Sequence, residues 1–292
     1  MAQDPRLLLQ KAEKAASGAT GGFSFFGGRT EKWENAADLY TQAANAFRVQ
    51  KQNHEAGQAF ERAAAIQTNN LSEPDDAANT LSEAFKVYRK ESPSDAARVL
   101  SQAITHYTSK GNFRRAATHQ QNLAEVYENE IGDQKKALEA YETAAGWFES
   151  DNAEALASKL YLKVGDLAAL EGDYSRACDK FESVARASLQ NNLMRWSVKE
   201  YLLKAGICHL AAGDLVATKR ALEQYKEWDN SFVQQRECML LEDLTHAVEE
   251  GDQDGFSEKL FQYDQMSKLD KWKTGLLLRV KGSIEKEEED FS

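Results

Sequence analysis

Apolar positions return at steps of three and four along most of the chain, and the clearest instance runs from Gly132 to Lys163. Ala137, Leu138, Tyr141, Ala144, Ala145 and Phe148 form one stripe. Leu156, Leu160, Val164 and Leu167 form the next, and the polar run Glu149–Asn152 separates them. The pattern predicts a helix, a turn and a second helix. Small alanines at the contact let the two helices approach closely, while Tyr141, Trp147 and Phe148 fill the space beside them. One hairpin buries only part of its apolar surface, so it needs neighbours.

The neighbours follow the same beat. Alanine with a second small or aliphatic residue recurs at Ala36, Ala56, Ala77, Ala96, Ala116, Ala137, Ala155 and Ala177. The spacing is about twenty residues, so two helices make a unit in the size range of the tetratricopeptide (TPR) and related hairpin repeats. Gly111, Gly132, Gly172, Gly213 and Gly251 are each followed by Asn or Asp, which predicts a helix end on glycine and a cap for the next helix. The expected fold is all-α: a TPR-like, right-handed superhelical sheet of antiparallel hairpins ending in a helical bundle.

Along the chain, Asp4-Pro5 starts a short helix. It leads to Gly18-Ala-Thr-Gly-Gly-Phe-Ser-Phe-Phe-Gly-Gly28, where Phe23, Phe25 and Phe26 sit among glycines that disfavour a helix. Such a loop is either an aromatic plug on the first repeat or an apolar tip that dips into a bilayer. Residues 1–30 are read as this helix and loop, 31–186 as the hairpin array, 187–285 as a C-terminal helical capping bundle, and 286–292 as an acidic tail. After Arg186 the predicted helices, near 196–212, 215–228, 236–250, 255–266 and 271–285, vary in length and lose the beat.

The 292 residues carry a formal net charge of −11 and three prolines, which argues against nucleic acid as partner and leaves most of the chain free to be helical. Cys178, Cys208 and Cys238 are far apart, without metal spacing, and read as core residues of a reduced, intracellular protein. No leader or membrane span is expected. The five histidines fall on different predicted helices, and no phosphate-binding loop is present, so neither an enzyme nor a cofactor is expected. Against the acidic background, Lys159 and Lys163 are one helical turn apart and offer a basic spot to an acidic partner.

Taken together, the Gly/Phe loop and five segments resemble the alpha-type soluble NSF attachment proteins, here of fungal kind, over essentially the whole length. Those segments are Phe113-Arg-Arg-Ala-Ala, Ser158-Lys-Leu-Tyr-Leu-Lys163, Lys199-Glu-Tyr-Leu-Leu-Lys-Ala-Gly-Ile-Cys208, Ser267-Lys-Leu-Asp-Lys-Trp-Lys273 and Glu287-Glu-Glu-Asp-Phe-Ser292. The resemblance implies a non-enzymatic adaptor, monomeric when free, cytoplasmic and peripheral to membranes. It would bind the assembled four-helix SNARE bundle of syntaxin-, synaptobrevin- and SNAP-25-type chains and recruit and stimulate the AAA+ ATPase NSF, a hexamer. It implies SNARE contacts at Lys159 and Lys163, with Arg114, Arg115, Arg195, Lys199 and Lys204 as further candidates. Membrane lipid would meet Phe23, Phe25 and Phe26, and NSF would meet Asp214, Glu249, Glu250, Asp290 and Phe291. Phe291 stands where relatives carry leucine. The alternative is a generic TPR-type scaffold that binds peptides or chaperones.

Overall fold

Glycine and its follower set the joints of this chain. In the computed structural model, which describes residues 4–20, 28–191 and 193–290 with side chains as far as Ile284, all five predicted glycines are left-handed. Their φ values are 72° at Gly111, 79° at Gly132, 87° at Gly172, 79° at Gly213 and 68° at Gly251, a region that costs other residues steric strain. The next residue then caps the following helix: Asn112 accepts from the Arg115 N–H at 3.3 Å, Asp133 from Lys136 at 3.0 Å, and Asp173 from Arg176 at 3.2 Å. Asp214 accepts from Ala217 at 2.9 Å and Asp252 from Gly255 at 2.8 Å. Each such cap contributes about 1 kcal/mol. Elsewhere Lys51, Ser72 and Asn152 take the positive φ themselves.

The described helices are α1 (Pro5–Thr20), α2 (Gly28–Val49), α3 (Asn53–Asn69), α4 (Pro74–Tyr88), α5 (Pro93–Ser109), α6 (Phe113–Val126) and α7 (Gln134–Ser150). They continue with α8 (Glu154–Glu171), α9 (Tyr174–Leu189), α10 (Val198–Ala212), α11 (Leu215–Trp228), α12 (Arg236–Glu250), α13 (Gln253–Met266) and α14 (Lys271–Asp290). A π-helical turn at Tyr127–Ile131, not anticipated from the sequence, leads into Gly132. Contacts divide the chain after Ala157 into two units, whereas the sequence pattern changes after Arg186.

In the first unit the helices form TPR-like antiparallel pairs, each packed on the helices before and after it in the chain. The alanine beat is the seam: Ala36, Ala56, Ala77, Ala96, Ala116 and Ala137 are all buried. Aromatic rings fill the rest, with Trp33, Tyr40, Phe47, Phe60, Phe85, Tyr88, Tyr107, Tyr141 and Phe148 buried. The closest approach is at Gly57, where an added Cβ would lie 2.3 Å from the Tyr88 ring. The Tyr88 hydroxyl donates to Glu61 at 2.7 Å, and Arg98 of α5 holds both oxygens of the same carboxylate at 2.7 and 2.9 Å. Burial alone would raise the Glu61 pKa, but the bonds from Arg98 and Tyr88 hold it below the ordinary value. Such links join alternate helices: Arg48–Glu83 at 3.1 Å for α2 and α4, Arg115–Asn79 at 2.6 Å for α4 and α6.

The second unit is a bundle built around α10, which contacts α9, α11, α12 and α14. Val198, Leu202, Leu203, Ala205, Gly206, Ile207, Cys208 and Leu210 are buried, so most of α10 is covered, while Lys199, Glu200, Lys204 and His209 are half-buried. Gly206 permits the approach of Leu241, which an added Cβ would meet at 2.5 Å. The three cysteines are free and buried.

One helix departs from the expected stripe at its start, while Leu160, Val164 and Leu167 are buried as expected. Ala155 and Leu156 were expected on the buried stripe of α8, yet both are exposed, while Ala157, Leu160 and Val164 are buried. Each helical residue turns by about 100°, so making Ala157 the contact swings its two predecessors outward.

Candidate functional site

Lys159 and Lys163 project from α8 beside buried Leu160 and Val164. Lys159 is exposed, and Lys163 is half-buried with contacts of its own. One turn further along lies Asp166, whose carboxylate accepts from Lys204 of α10 at 2.7 Å. Burial raises the Asp166 pKa against the pull of Lys204 and Lys163. The Asp166 carbonyl also accepts from Trp272 Nε1 at 3.0 Å. Lys204 lies 4.8 Å from the Trp272 ring centroid and 5.5 Å from that of Phe181, and only 16% of its side chain is exposed. Among the basic candidates Lys204 is therefore spent internally, tying α8 to α10.

The remaining basic candidates fall into two groups. Arg114 and Arg115 stand in the first turn of α6. Arg114 is exposed and pairs with Asp151 at 3.1 Å, while Arg115 bonds Asn79 and lies 4.6 Å from the Tyr107 ring centroid. Arg195 and Lys199 lie between α9 and the start of α10, beside a cavity of ≈ 370 Å³ that Trp196, Asp229, Ser231 and Gln235 also line. Arg195 reaches Asp229 at 3.6 Å, and Lys199 pairs at 3.1 Å with Glu237, which is nearly buried and whose second oxygen has no hydrogen-bond partner. Next to these cations Leu193 is 92% and Trp196 86% exposed. Sequence reasoning placed this tryptophan at the start of a helix. Its signal was its position after the polar Asn191-Asn192, in a connection with no helical stripe to bury it.

The acidic candidates gather at one end of the second unit. Asp214 caps α11 at its start, and Glu249 and Glu250 close α12 just before Gly251. Lys219 of α11 bonds Glu249 and so brings these ends together. The Lys219 hydrogen bond holds the Glu249 carboxylate below its usual pKa. His246 lies 3.6 Å from Glu250. All three acids are exposed. Asp290 ends α14, with its side chain outside the described set, and Phe291, Phe23, Phe25 and Phe26 lie outside the described residues. No group of His, Cys, Asp and Glu that could hold a metal occurs among the described residues. Among them, too, no helix is long and apolar enough to cross a membrane.

Stacked helical hairpins followed by a helical bundle, with two lysines one turn apart on α8 and exposed carboxylates where α11 begins and α12 ends, have the build of a protein-interaction fold. The profile of the family described as "Soluble NSF attachment protein, SNAP" matches residues 3–285. A probable vesicular-fusion protein sec17 homolog of Neurospora crassa is 54% identical over 292 residues, covering 100% of both chains. A homologue of the same description from Schizosaccharomyces pombe is likewise 54% identical over 292 residues, and the human alpha-soluble NSF attachment protein is 36% identical over 284, covering 97% of this chain and 96% of its own. The chain belongs to the soluble NSF attachment protein family.

Proposed function

We propose that the basic residues of α8 seat an assembled SNARE bundle while the acidic end of the second unit engages NSF. The chain is an adaptor of vesicle fusion and not an enzyme: it binds SNARE complexes and brings to them the ATPase that separates their strands. The observation that carries the reading is Lys159, exposed and without an ion-pair partner among the described residues in a chain of net charge −11. A local positive spot on an acidic protein selects an acidic surface by charge pattern, which suits an adaptor serving several SNARE complexes. Lys163 flanks it and Lys204 bonds Asp166 on the same helix; Arg195 and Lys199 in the second unit, and Arg114 and Arg115 in the first, are further basic contacts for the same acidic partner. Leu193 and Trp196 supply an apolar contact beside Arg195.

The specific strands are of syntaxin, synaptobrevin and SNAP-25 type. NSF meets Asp214, Glu249, Glu250, Asp290 and Phe291. Phe23, Phe25 and Phe26 touch the bilayer, so that a cytoplasmic monomer becomes peripherally attached and its effective concentration at membrane-anchored complexes rises. Pull-down tests the reading. The chain is expected to retain a preassembled soluble SNARE complex and not its separated strands, whereas capture of a short extended peptide in place of the bundle would favour a generic scaffold. Replacing Phe25 and Phe26 with Ser is expected to weaken disassembly on liposomes and spare it in detergent-free solution. Equal loss in both would make the loop a structural element.

A further inference from the structure

Cys178 of α9 and Cys208 of α10 meet inside the second unit, apart from the charged surfaces described above. The Cys178 Sγ lies 3.6 Å from the Ala205 carbonyl oxygen. A helical carbonyl points toward the N–H four residues on, so this sulfur stands beside Cys208 and His209, one turn further along α10. His209 bonds Glu182 of α9 at 3.0 Å, and Tyr225 of α11 donates to the same carboxylate at 2.6 Å. The two thiols therefore share a polar cluster that three helices hold in place.

The two sulfurs are not equivalent. Cys208 lowers the Cys178 pKa, burial opposes it and His209 adds to the lowering, so that this thiol titrates at about 6. Cys208 is itself pushed up, by Cys178 and by burial. At neutral pH the first is a thiolate, the nucleophilic form, and the second is still a thiol. Burial would lower the His209 pKa, but Cys178 and Glu182 raise it to about 10, so an imidazolium balances the thiolate. Burial holds Cys238 up at about 11, and it stays a thiol.

We propose that Cys178 and Cys208 are a peroxide-oxidised pair, in which Cys178 attacks hydrogen peroxide and Cys208 resolves the product into a disulfide that ties α9 to α10. In the first step the Cys178 sulfur bonds one peroxide oxygen, the O–O bond breaks and hydroxide leaves, giving a sulfenic acid. In the second the Cys208 sulfur bonds the Cys178 sulfur, the S–O bond breaks, and the Cys208 proton leaves with that oxygen as water. Two thiols lose two electrons and two protons, and the peroxide becomes two waters. Cys178 is 6% exposed and Cys208 0%, so access sets the same order as charge. Hydrogen peroxide is neutral and close to water in size, and Cys178 stands in the second turn of α9, near the Gly172 joint, where helix ends open locally.

The test is mass spectrometry of the full chain, reduced, exposed to hydrogen peroxide and then alkylated in denaturant. The wild type is expected to become lighter by two hydrogens, to yield a peptide joining Cys178 to Cys208, and to carry alkyl only on Cys238; a dithiol reductant should restore all three thiols. Cys208→Ala is expected to accumulate the sulfenic acid at Cys178, trapped by dimedone, and Cys178→Ala to leave Cys208 alkylatable. Melting curves of the reduced variants show that they fold, and the wild-type result stands without them. Three free thiols at a peroxide dose that oxidises free cysteine would overturn the proposal. So would a bond to Cys238, or a wild type in which Cys178 runs on to the sulfinic acid without joining Cys208.

Discussion

The two units of this chain hold their helices by different rules. Up to Ala157 each helix packs mainly on its sequence neighbours, and the polar links between alternate helices lie on partly exposed side chains such as Arg48–Glu83. From Ser158 onward one enclosed helix, α10, touches four others, and the polar groups are covered: Lys204 with Asp166, and His209 with Glu182 at 3.0 Å. A stack of local interfaces tolerates a local fault, because stability there is close to a sum over neighbouring repeats. A hub does not, since α10 holds interfaces with four helices at once.

The largest effect is therefore expected at the hub. Leu202 is 0% exposed, and Leu202→Ala should cost about 2–5 kcal/mol and broaden or split the denaturation curve by unfolding the second unit first. Hydrogen exchange should show loss of protection throughout α9–α14 and little change in α1–α6. Uniform loss across the chain would erase the contrast between stack and hub.

Next comes Gly57→Ala, which drives a methyl into the buried Tyr88 ring and should cost roughly 1–3 kcal/mol. Its exchange footprint should stay within α3–α5. Spread into α10 would mean that the stack transmits strain more strongly than a chain of neighbour contacts allows.

Asp133→Ala removes the cap that bonds the Lys136 N–H at 3.0 Å and should cost about 1 kcal/mol, read as a shift in the denaturation midpoint. Asp133→Asn keeps the acceptor and should recover most of it.

The smallest effect concerns pH. Burial alone would lower the His209 pKa, but neighbouring Cys178 and the bond with Glu182 raise it to about 10. A raised folded-state value stabilises fully below the unfolded histidine pKa of about 6.5 and is lost as pH climbs through the folded one. The midpoint temperature of the wild type should therefore fall between pH 7 and 10 by a few degrees more than that of His209→Gln. Parallel curves would show that His209 is not held protonated.

Much of this architecture was legible because it rests on single residues. Glycine followed by Asp or Asn fixes a φ and a cap within four residues, and all five such joints are found where they were expected. The alanine seam was readable for the same reason up to Ala137. It fails at Ala155 because the choice of buried stripe on α8 is made by the helices packed on it and not by its own period. Lys204 shows the same limit from the other side: a lysine near other basic residues reads as surface, but Asp166 and Trp272, the latter far away in sequence, draw it inward. The exposed Trp196 was not recognised as a candidate contact, because the sequence pattern placed it at the start of a helix.

The central claim is that a basic spot on α8 couples an acidic bundle to a motor, and ATP-dependent disassembly measures it directly. With NSF, ATP and a preassembled SNARE complex, the wild-type chain should support release of the separated strands. K159E/K163E, folded and with an unchanged melting curve, should lower that rate at least about tenfold, with the defect narrowing as salt is raised. Disassembly by K159E/K163E at the wild-type rate would contradict the account.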